Sequence, residues 1–257
     1  MSIKTATLNG VATIEIARPE KKNALTVAMY QAMHDALVAA KADPAVRAVL
    51  ITGQPGIFTS GNDIEDFMQR APGQGSDALE SPVFRFMRAL LDCDKPVVAA
   101  VTGAAIGIGT TMLLHCDFVY VSDEARLAMP FVALGLVPEF GSSLVVSQLM
   151  GRRKAAEKLL LGDPFTPEQA VECGIANAVL PAAEVVNHAR RVAERFNSLQ
   201  QGAVRESKQL MTAPQHALLL QTIRTEGEIF AKRLRSPEAM EAFQAFFQKR
   251  KPDFSKF

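Results

Sequence analysis

The sequence predicts an α/β protein with parallel strand pairing, followed by a helical region at the C-terminal end. In the first part of the chain, hydrophobic runs of strand character are followed by turns and then by amphipathic helical patterns. Residues 46–52 and 96–102 are largely apolar, which is typical of strands buried on both faces. After Gly151 the pattern becomes mostly helical.

The first elements can be placed from their residue patterns. Residues 11–16 alternate as a strand does, and Arg18-Pro19 ends that strand. Thr26 is predicted to cap a helix that Asp43-Pro44 ends. The apolar face of this helix consists of three residues: Tyr30, Met33 and Leu37.

The later elements follow the same logic. Residues 71–77 are rich in glycine and proline and predict a mobile loop. An amphipathic helix runs from Phe84 to Leu91, and residues 118–121 form a further strand. The segment from Thr166 to Gln169 predicts a capping box with proline at the first helical position. The last helical pattern carries more large apolar residues than a terminal helix needs, so we expect it to pack on a partner subunit: Phe230, Met240, Phe243, Phe246 and Phe247.

Composition and charge exclude several classes of protein. A chain of 257 residues can bury a sizeable core, and its formal net charge of +1 provides no general attraction for nucleic acid or an anionic membrane. Three widely separated cysteines form no disulfide framework, which indicates a reducing compartment such as the cytoplasm. The terminal tripeptide Ser255-Lys256-Phe257 differs in its last residue from a peroxisomal address, so peroxisomal targeting is the alternative.

Two glycine turns and one carboxylate are the candidate functional features. The turns occupy residues 58–63 and 103–109, and each follows a strand and precedes a helical pattern. Glycine lets the backbone approach a ligand, and amides at a helix start are unpaired donors. Together the turns could direct two N–H groups at one oxygen, with Glu139 as the nearby acid or base. That set of groups suits proton transfer next to a carbonyl.

Each of these features also has a simpler interpretation. Glycine turns are usually only turns, and Glu139 could favour the following helix through the helix dipole. However, Glu139 lies among apolar residues, where an unpaired carboxylate is costly unless it has a function. The Gly107-x-Gly109 pair is weak support for a dinucleotide site because Met112 replaces the third glycine. We predict no metal site, since His115 and Asp117 are only two groups.

Taken together, three segments resemble the crotonase (enoyl-CoA hydratase/isomerase) superfamily, and the similarity spans nearly the whole chain. The segments are residues 58–64, residues 95–103 and Cys116-Asp117-Phe118. The resemblance implies a crotonase fold, a β-β-α spiral superhelix with two roughly perpendicular sheets. It implies a spiral core over residues 1–195 and a helical C-terminal trimerisation region over residues 196–257. Homotrimers, often paired into hexamers, are the expected assembly.

The resemblance also implies an acyl-CoA thioester ligand, with no cofactor because coenzyme A is part of the substrate. By position, the backbone N–H groups of Ser60 and Ile108 would form an oxyanion hole for the thioester oxygen, and Glu139 would be catalytic. Lys22 is a candidate contact to the coenzyme A phosphates, as is Lys251. We expect Met68 and the helix from Phe84 to Leu91 to line the acyl channel. The remaining predicted substrate-binding residues are Gly61, Asn62, Asp63, Ile64, Gly107, Phe131 and Phe140.

Within the superfamily, the acidic residues indicate the reaction. Hydratases use two glutamates, and the corresponding places here hold Thr111 and Phe131. Residues 138–143 instead resemble the Pro-Glu-Gly-x-Ser-Ser segment of the peroxisomal-type Δ3,Δ2-enoyl-CoA isomerases, with Phe140 in place of the usual glycine. The resemblance therefore predicts an isomerase that shifts a 3-enoyl-CoA double bond by proton transfer through Glu139.

Three alternatives remain from the sequence. The first is another crotonase-type isomerase, such as the ring-opening isomerases of aryl-acetyl-CoA degradation, which more often resemble an aspartate at this position. The second is an enoyl-CoA hydratase. The third is a catalytically silent protein that binds acyl-CoA, against which the intact Glu139 and both turns argue.

Overall fold

The computed structural model describes residues 2–66 and 80–257. The loop predicted over residues 71–77, and Met68 of the predicted acyl channel, lie outside these described residues. No helix within the described ranges is both long enough and apolar enough to cross a membrane.

Nine strands of the described residues form two sheets. The larger sheet has the strand order β1-β2-β3-β5-β7-β9 and the smaller sheet the order β4-β6-β8. The larger sheet contains β1 (Ile3–Leu8), β2 (Val11–Ile16), β3 (Ala48–Thr52), β5 (Val97–Val101), β7 (Phe118–Ser122) and β9 (Ala178–Leu180). The smaller sheet contains β4 (Ile57–Thr59), β6 (Ala104–Ile106) and β8 (Arg126–Ala128).

Strand pairing is parallel throughout both sheets except at one edge. There, β1 pairs antiparallel with β2 through the two-residue turn Asn9-Gly10. Both residues have positive φ, which suits a tight hairpin. The parallel pairing predicted from the sequence is confirmed for the other strands, whereas the β1 hairpin was not predicted. Strands β3 and β5 are buried at every position, as continuous apolar runs require.

The helices pack on the sheets and extend towards the C-terminal end. They are α1 (Val27–Ala42), α2 (Pro82–Leu91), α3 (Ile108–Thr111), α4 (Ser142–Ala156), α5 (Pro167–Glu172), α6 (Val185–Glu194), α7 (Gln201–Leu234) and α8 (Pro237–Phe247). A 3₁₀ turn, Met112–His115, continues α3 directly. The predicted caps of α1 and α5 are confirmed: the Thr26 side chain accepts from the Met29 N–H, and Thr166 forms a capping box with Gln169.

The main core lies between the strands and the helices α1 and α2. Its side chains include the predicted apolar face of α1, since Tyr30, Met33 and Leu37 are all buried. Phe86, Met87 and Leu90 of α2 pack into the same cluster. A smaller cluster joins the opposite face of the larger sheet to α6. This packing fixes α1 against α2 and against strands β1 and β2.

Candidate active site

The two glycine turns are neighbours because the strands that precede them pair in the smaller sheet. Strand β4 pairs in parallel with β6, so the segments that follow the two strands leave the same edge. At Gly61 the backbone approaches the second turn closely. Gly61 has a φ of +94°, and a Cβ placed on it would lie 2.9 Å from the Ile106 carbonyl oxygen. A side chain at residue 61 would therefore separate the turns.

The second turn presents a free amide at Ile108. Ile108 is the first residue of α3, so its N–H has no acceptor within the helix. The preceding Gly107 N–H donates to the Ala128 carbonyl at 2.8 Å, whereas the Ile108 N–H has no acceptor in the described part of the chain. Ile108 is fully buried. Its amide is therefore available to a ligand oxygen in a site sheltered from water.

In the first turn, the free amide belongs to Asn62 and not to Ser60. The Ser60 N–H donates to the Lys22 carbonyl at 3.1 Å, and the Gly61 N–H donates to the Thr59 hydroxyl at 3.1 Å. The Asp63 N–H donates to the Leu25 carbonyl at 2.9 Å. Within residues 60–63, Asn62 is thus the position whose N–H keeps no acceptor in the described residues. The prediction that Ser60 supplies an oxyanion donor was wrong, because the Ser60 N–H already donates to the Lys22 carbonyl.

A buried polar network fixes the first turn. The fully buried Asn23 side chain donates to carbonyls of β2 and β4, and the Asn23 backbone carbonyl accepts from the Thr59 hydroxyl at 2.7 Å. Arg18 pairs with Asp63 at 2.6 Å, and this pair lowers the pKa of Asp63 despite partial burial. Because the turn is tied to two strands and a salt bridge, its backbone is preorganised before any ligand arrives.

Glu139 is a buried carboxylate without a hydrogen-bond partner for one of its oxygens. The residue is 6% exposed, and Oε1 is buried with no partner in the described residues. Burial raises the pKa of Glu139 to about 8, and the negative charge of Glu226 adds to the rise. The carboxyl group is therefore far more basic than an exposed glutamate, which suits it to remove a proton from carbon.

The helix-capping role that the simpler interpretation gave to Glu139 is performed by Glu226. The Glu226 carboxylate, from α7, accepts hydrogen bonds from the Gly141 N–H at 2.6 Å and from the Ser143 N–H at 2.9 Å. It also accepts from the Ser143 hydroxyl, while the Ser142 hydroxyl donates to the Glu139 carbonyl. The start of α4 is thus satisfied, and these hydroxyls do not hold the Glu139 side chain.

Phe140 holds the residue after the carboxylate in a strained conformation. Its φ is +58°, which is uncommon for a residue other than glycine. The half-buried His115 ring packs on the Phe140 ring at 4.1 Å, and His115 Nε2 lies 2.7 Å from the Phe140 carbonyl oxygen. Burial lowers the pKa of His115 to about 4, so the ring is neutral. Since a carbonyl only accepts, Nε2 carries the hydrogen and donates it to Phe140.

The other predicted binding residues lie around this centre. The Phe131 ring is beside Gly107, at 3.8 Å from a Cβ placed on that glycine, and both Phe131 and Phe140 are buried. Ile64 packs against the main core. Lys22 is exposed and lies next to the first turn through its carbonyl bond to Ser60. Among residues 2–66 and 80–257, no group of three or more His, Cys, Asp or Glu side chains could hold a metal ion.

Sequence reasoning missed Glu226, although a signal was present. Glu226 occupies an apolar position of α7, with Ile223 three residues before it and Phe230 four residues after it, and all three are buried. A glutamate on the buried face of a helix requires a partner inside the protein. The identity of that partner, 83 to 85 residues away at the start of α4, depends on the fold.

Two adjacent buried threonines provide a test of which polar groups the fold itself satisfies. The Thr110 hydroxyl bonds to the Ala105 and Ala128 carbonyls and accepts from the Ala128 N–H, whereas the Thr111 hydroxyl is buried without a partner in the described residues. We expect Thr110→Val to lower the free energy of unfolding by about 1–3 kcal/mol, because buried groups lose their partners. We expect Thr111→Val to leave it unchanged or to raise it, as measured by urea denaturation. A Thr111→Val loss as large as that of Thr110→Val would show that the Thr111 hydroxyl is satisfied.

Comparison with known proteins identifies the family of the chain. Residues 6–256 match the family described as Enoyl-CoA hydratase/isomerase. The chain is 34% identical to enoyl-CoA delta isomerase 2 of Rattus norvegicus, over 95% of this chain and 62% of that protein. It is 29% identical to mitochondrial enoyl-CoA hydratase of Pongo abelii, over 96% of this chain and 84% of that protein.

Solved structures show the same fold. OdaA of Pseudomonas aeruginosa superposes with a TM-score of 0.92 at 55% identity, covering 95% of this chain and 98% of that one. An enoyl-CoA hydratase/isomerase of Pseudoalteromonas atlantica superposes with a TM-score of 0.93 at 38% identity, covering 99% of this chain and all of that one. The chain belongs to the crotonase family of enoyl-CoA hydratases and isomerases, as its sequence match, its fold and its paired glycine turns show.

Proposed function

We propose that this enzyme is a Δ3,Δ2-enoyl-CoA isomerase, which converts a 3-enoyl-CoA into the conjugated trans-2-enoyl-CoA. One observation carries the proposal: Glu139 is buried and its pKa is raised, and it does not cap α4, because Glu226 does so in its place. A carboxylate that is buried at a high free-energy cost, with one oxygen left without a hydrogen-bond partner in the described residues, is typical of a catalytic base.

In the proposed reaction, the thioester oxygen accepts hydrogen bonds from the Ile108 and Asn62 N–H groups. Glu139 removes a proton from C2, and the electron pair of that C–H bond delocalises to form a dienolate whose charge lies largely on the bound oxygen. The protonated carboxyl then returns the proton to C4, so the double bond moves from C3 to C2 and no atom is gained or lost. One carboxyl suffices because it can reach C2 and C4 from the same face of the planar dienolate. By analogy with other oxyanion holes, each amide contributes roughly 10²–10³ in rate.

The site chemistry favours isomerisation over hydration. Adding water across a double bond requires a base for the water and an acid for the α-carbon. In this chain, Thr111 and Phe131 occupy the places at which hydratases of the family carry their glutamates. The similarity to enoyl-CoA delta isomerase 2 supports the same conclusion, while relatives named as hydratases match at comparable identity. The assignment therefore rests on Glu139.

The proposed substrate position follows from the same residues. With the thioester oxygen between the two turns, Phe131 and Phe140 provide apolar walls for the acyl chain. Water excluded by these rings would otherwise weaken the oxyanion hole and protonate the dienolate. The exposed Lys22 ammonium, next to the first turn, is proposed to contact the coenzyme A phosphates.

The variant Glu139→Gln tests the proposal when it is assayed with a 3-enoyl-CoA by the absorbance of the conjugated thioester. Because the amide cannot act as a base, we expect kcat to fall by about 10²–10⁴-fold. Glu228→Gln, at an exposed position of α7, is the matched control and should keep wild-type activity. Near-normal activity of Glu139→Gln would eliminate Glu139 as the base. Rapid hydration of a 2-enoyl-CoA by the wild type would instead indicate a hydratase.

The raised pKa of Glu139 makes activity depend on pH. The base must be ionised, so kcat/KM should rise with pH, with a midpoint near the pKa of about 8 in the free enzyme, and level off above it. Glu226→Gln removes a nearby negative charge and should lower the pKa of Glu139, which moves the rising limb to lower pH. Thermal unfolding of the variant checks that α4 survives the change. A rising limb at the pH of an ordinary glutamate, near 4.5, would contradict a buried base.

Assembly into trimers or hexamers is part of the proposal. Leu210 and Met211 of α7 are 77% and 79% exposed, and Phe246 and Phe247 of α8 are also exposed. Large apolar side chains on neighbouring helices suit a contact with further copies of the chain. We expect sedimentation equilibrium to find three or six chains per particle and Leu210→Glu to lower that number. A monomeric wild-type protein would refute this assembly.

A further inference from the structure

Asn62 lies in the first glycine turn, and its side chain is held by a buried tyrosine. The Tyr30 hydroxyl donates to Asn62 Oδ1 at 2.5 Å, although the two residues are 32 positions apart in the chain. Tyr30 is fully buried in the first turn of α1, so its hydroxyl cannot turn to bulk water. This bond therefore links a rigid, capped helix to the residue whose N–H is free in the first turn.

The same tyrosine is connected to the loop that carries Glu139. The Tyr30 ring lies 5.5 Å from the Phe86 ring, and the Phe86 ring lies 6.4 Å from the Phe140 ring, with all three side chains buried. Phe140 directly follows Glu139. Burial raises the pKa of Tyr30 well above its ordinary value, and the nearby charge of Glu139 adds to the rise. Tyr30 is thus close to both parts of the site.

We infer that Tyr30 is a positioning residue, whose hydroxyl fixes Asn62 so that the Asn62 N–H meets the thioester oxygen at a set distance from Glu139. This inference rests on the proposed function, because it concerns the oxyanion hole of that reaction. Tyr30 touches no reacting atom and acts through Asn62. Loss of the hydroxyl leaves Asn62 Oδ1 without its donor, which frees the side chain to rotate and the turn to shift. A small displacement of an oxyanion donor is costly, because these hydrogen bonds stabilise the transition state only when they are preorganised.

The chain offers a closely matched pair of variants for the test, since it contains only two tyrosines. Tyr30→Phe deletes the hydroxyl and keeps the ring that packs on Phe86. Tyr120→Phe makes the same deletion on β7, where the Tyr120 ring packs against His188 and the second core cluster. We expect Tyr30→Phe to lower kcat about 10-fold or more with KM changed less than about twofold, because the lost interaction acts in the transition state. Tyr120→Phe should keep wild-type kinetics.

A double-mutant cycle separates positioning from general damage. Asn62→Ala removes the acceptor of the same hydrogen bond while keeping the backbone N–H. If Tyr30 acts through Asn62, then Asn62→Ala and the double variant should both lose about as much kcat as Tyr30→Phe alone. Multiplying losses in the double variant would overturn the inference, as would Tyr30→Phe kinetics equal to those of Tyr120→Phe.

A spectroscopic probe reports on the oxyanion hole directly. The absorbance of a conjugated dienoyl-CoA should shift to longer wavelength on binding to the wild type, because the two amides polarise its carbonyl. The shift should be smaller in Tyr30→Phe and unchanged in Tyr120→Phe, and an unchanged shift in Tyr30→Phe would overturn the inference. Glu139→Gln distinguishes this failure from that of the proposed function. If Glu139→Gln is inactive while Tyr30→Phe is normal, only the role of Tyr30 is wrong.

Discussion

The candidate site depends on how the fold pays the cost of a buried carboxylate at Glu139. Residues 139–143 must both start a helix and keep one acid unpaired, and a single glutamate could not do both. The two roles fall to two residues: Glu226 from α7 accepts hydrogen bonds from the Gly141 and Ser143 N–H groups, and Glu139 stays unpaired at one oxygen within the described residues. The same arrangement places a second negative charge near Glu139 and raises its pKa further. Burial is the larger cause of the raised pKa of Glu139, and the residue that caps the helix adds to it.

The proposed oxyanion hole likewise depends on which hydrogen bonds are already made. Each glycine turn contains several N–H groups, and most of them are used by the fold itself. At the second turn, the free donor follows from a simple rule, since Ile108 is the first residue of a helix. At the first turn, no local rule selects Asn62. The Asn62 N–H is left free within the described residues because the N–H groups of the neighbouring residues donate to Lys22, Leu25 and Thr59.

These two cases show how far the sequence reaches. Features governed by local chemistry could be predicted, such as the Thr26 cap, the Thr166 capping box and the buried strands β3 and β5. The role of Ser60 was predicted wrongly, because it depends on a hydrogen bond to a residue 38 positions earlier in the chain. For the same reason, the sequence could not predict the partner of Glu226 or the packing of His115 on Phe140. The pattern of the sequence identifies which groups need partners, and tertiary packing decides which partners they receive.

In the proposed reaction, one carboxyl carries a proton from C2 to C4 within a site closed to water. Isotope transfer tests it most directly. A 3-enoyl-CoA that carries deuterium at both C2 positions is converted in ordinary water, and the product of a single turnover is examined by NMR. We expect a substantial fraction of the product to carry deuterium at C4, because Glu139 returns the deuteron that it removed. Product without deuterium at C4, with the label lost to solvent, would contradict transfer by a single buried carboxyl.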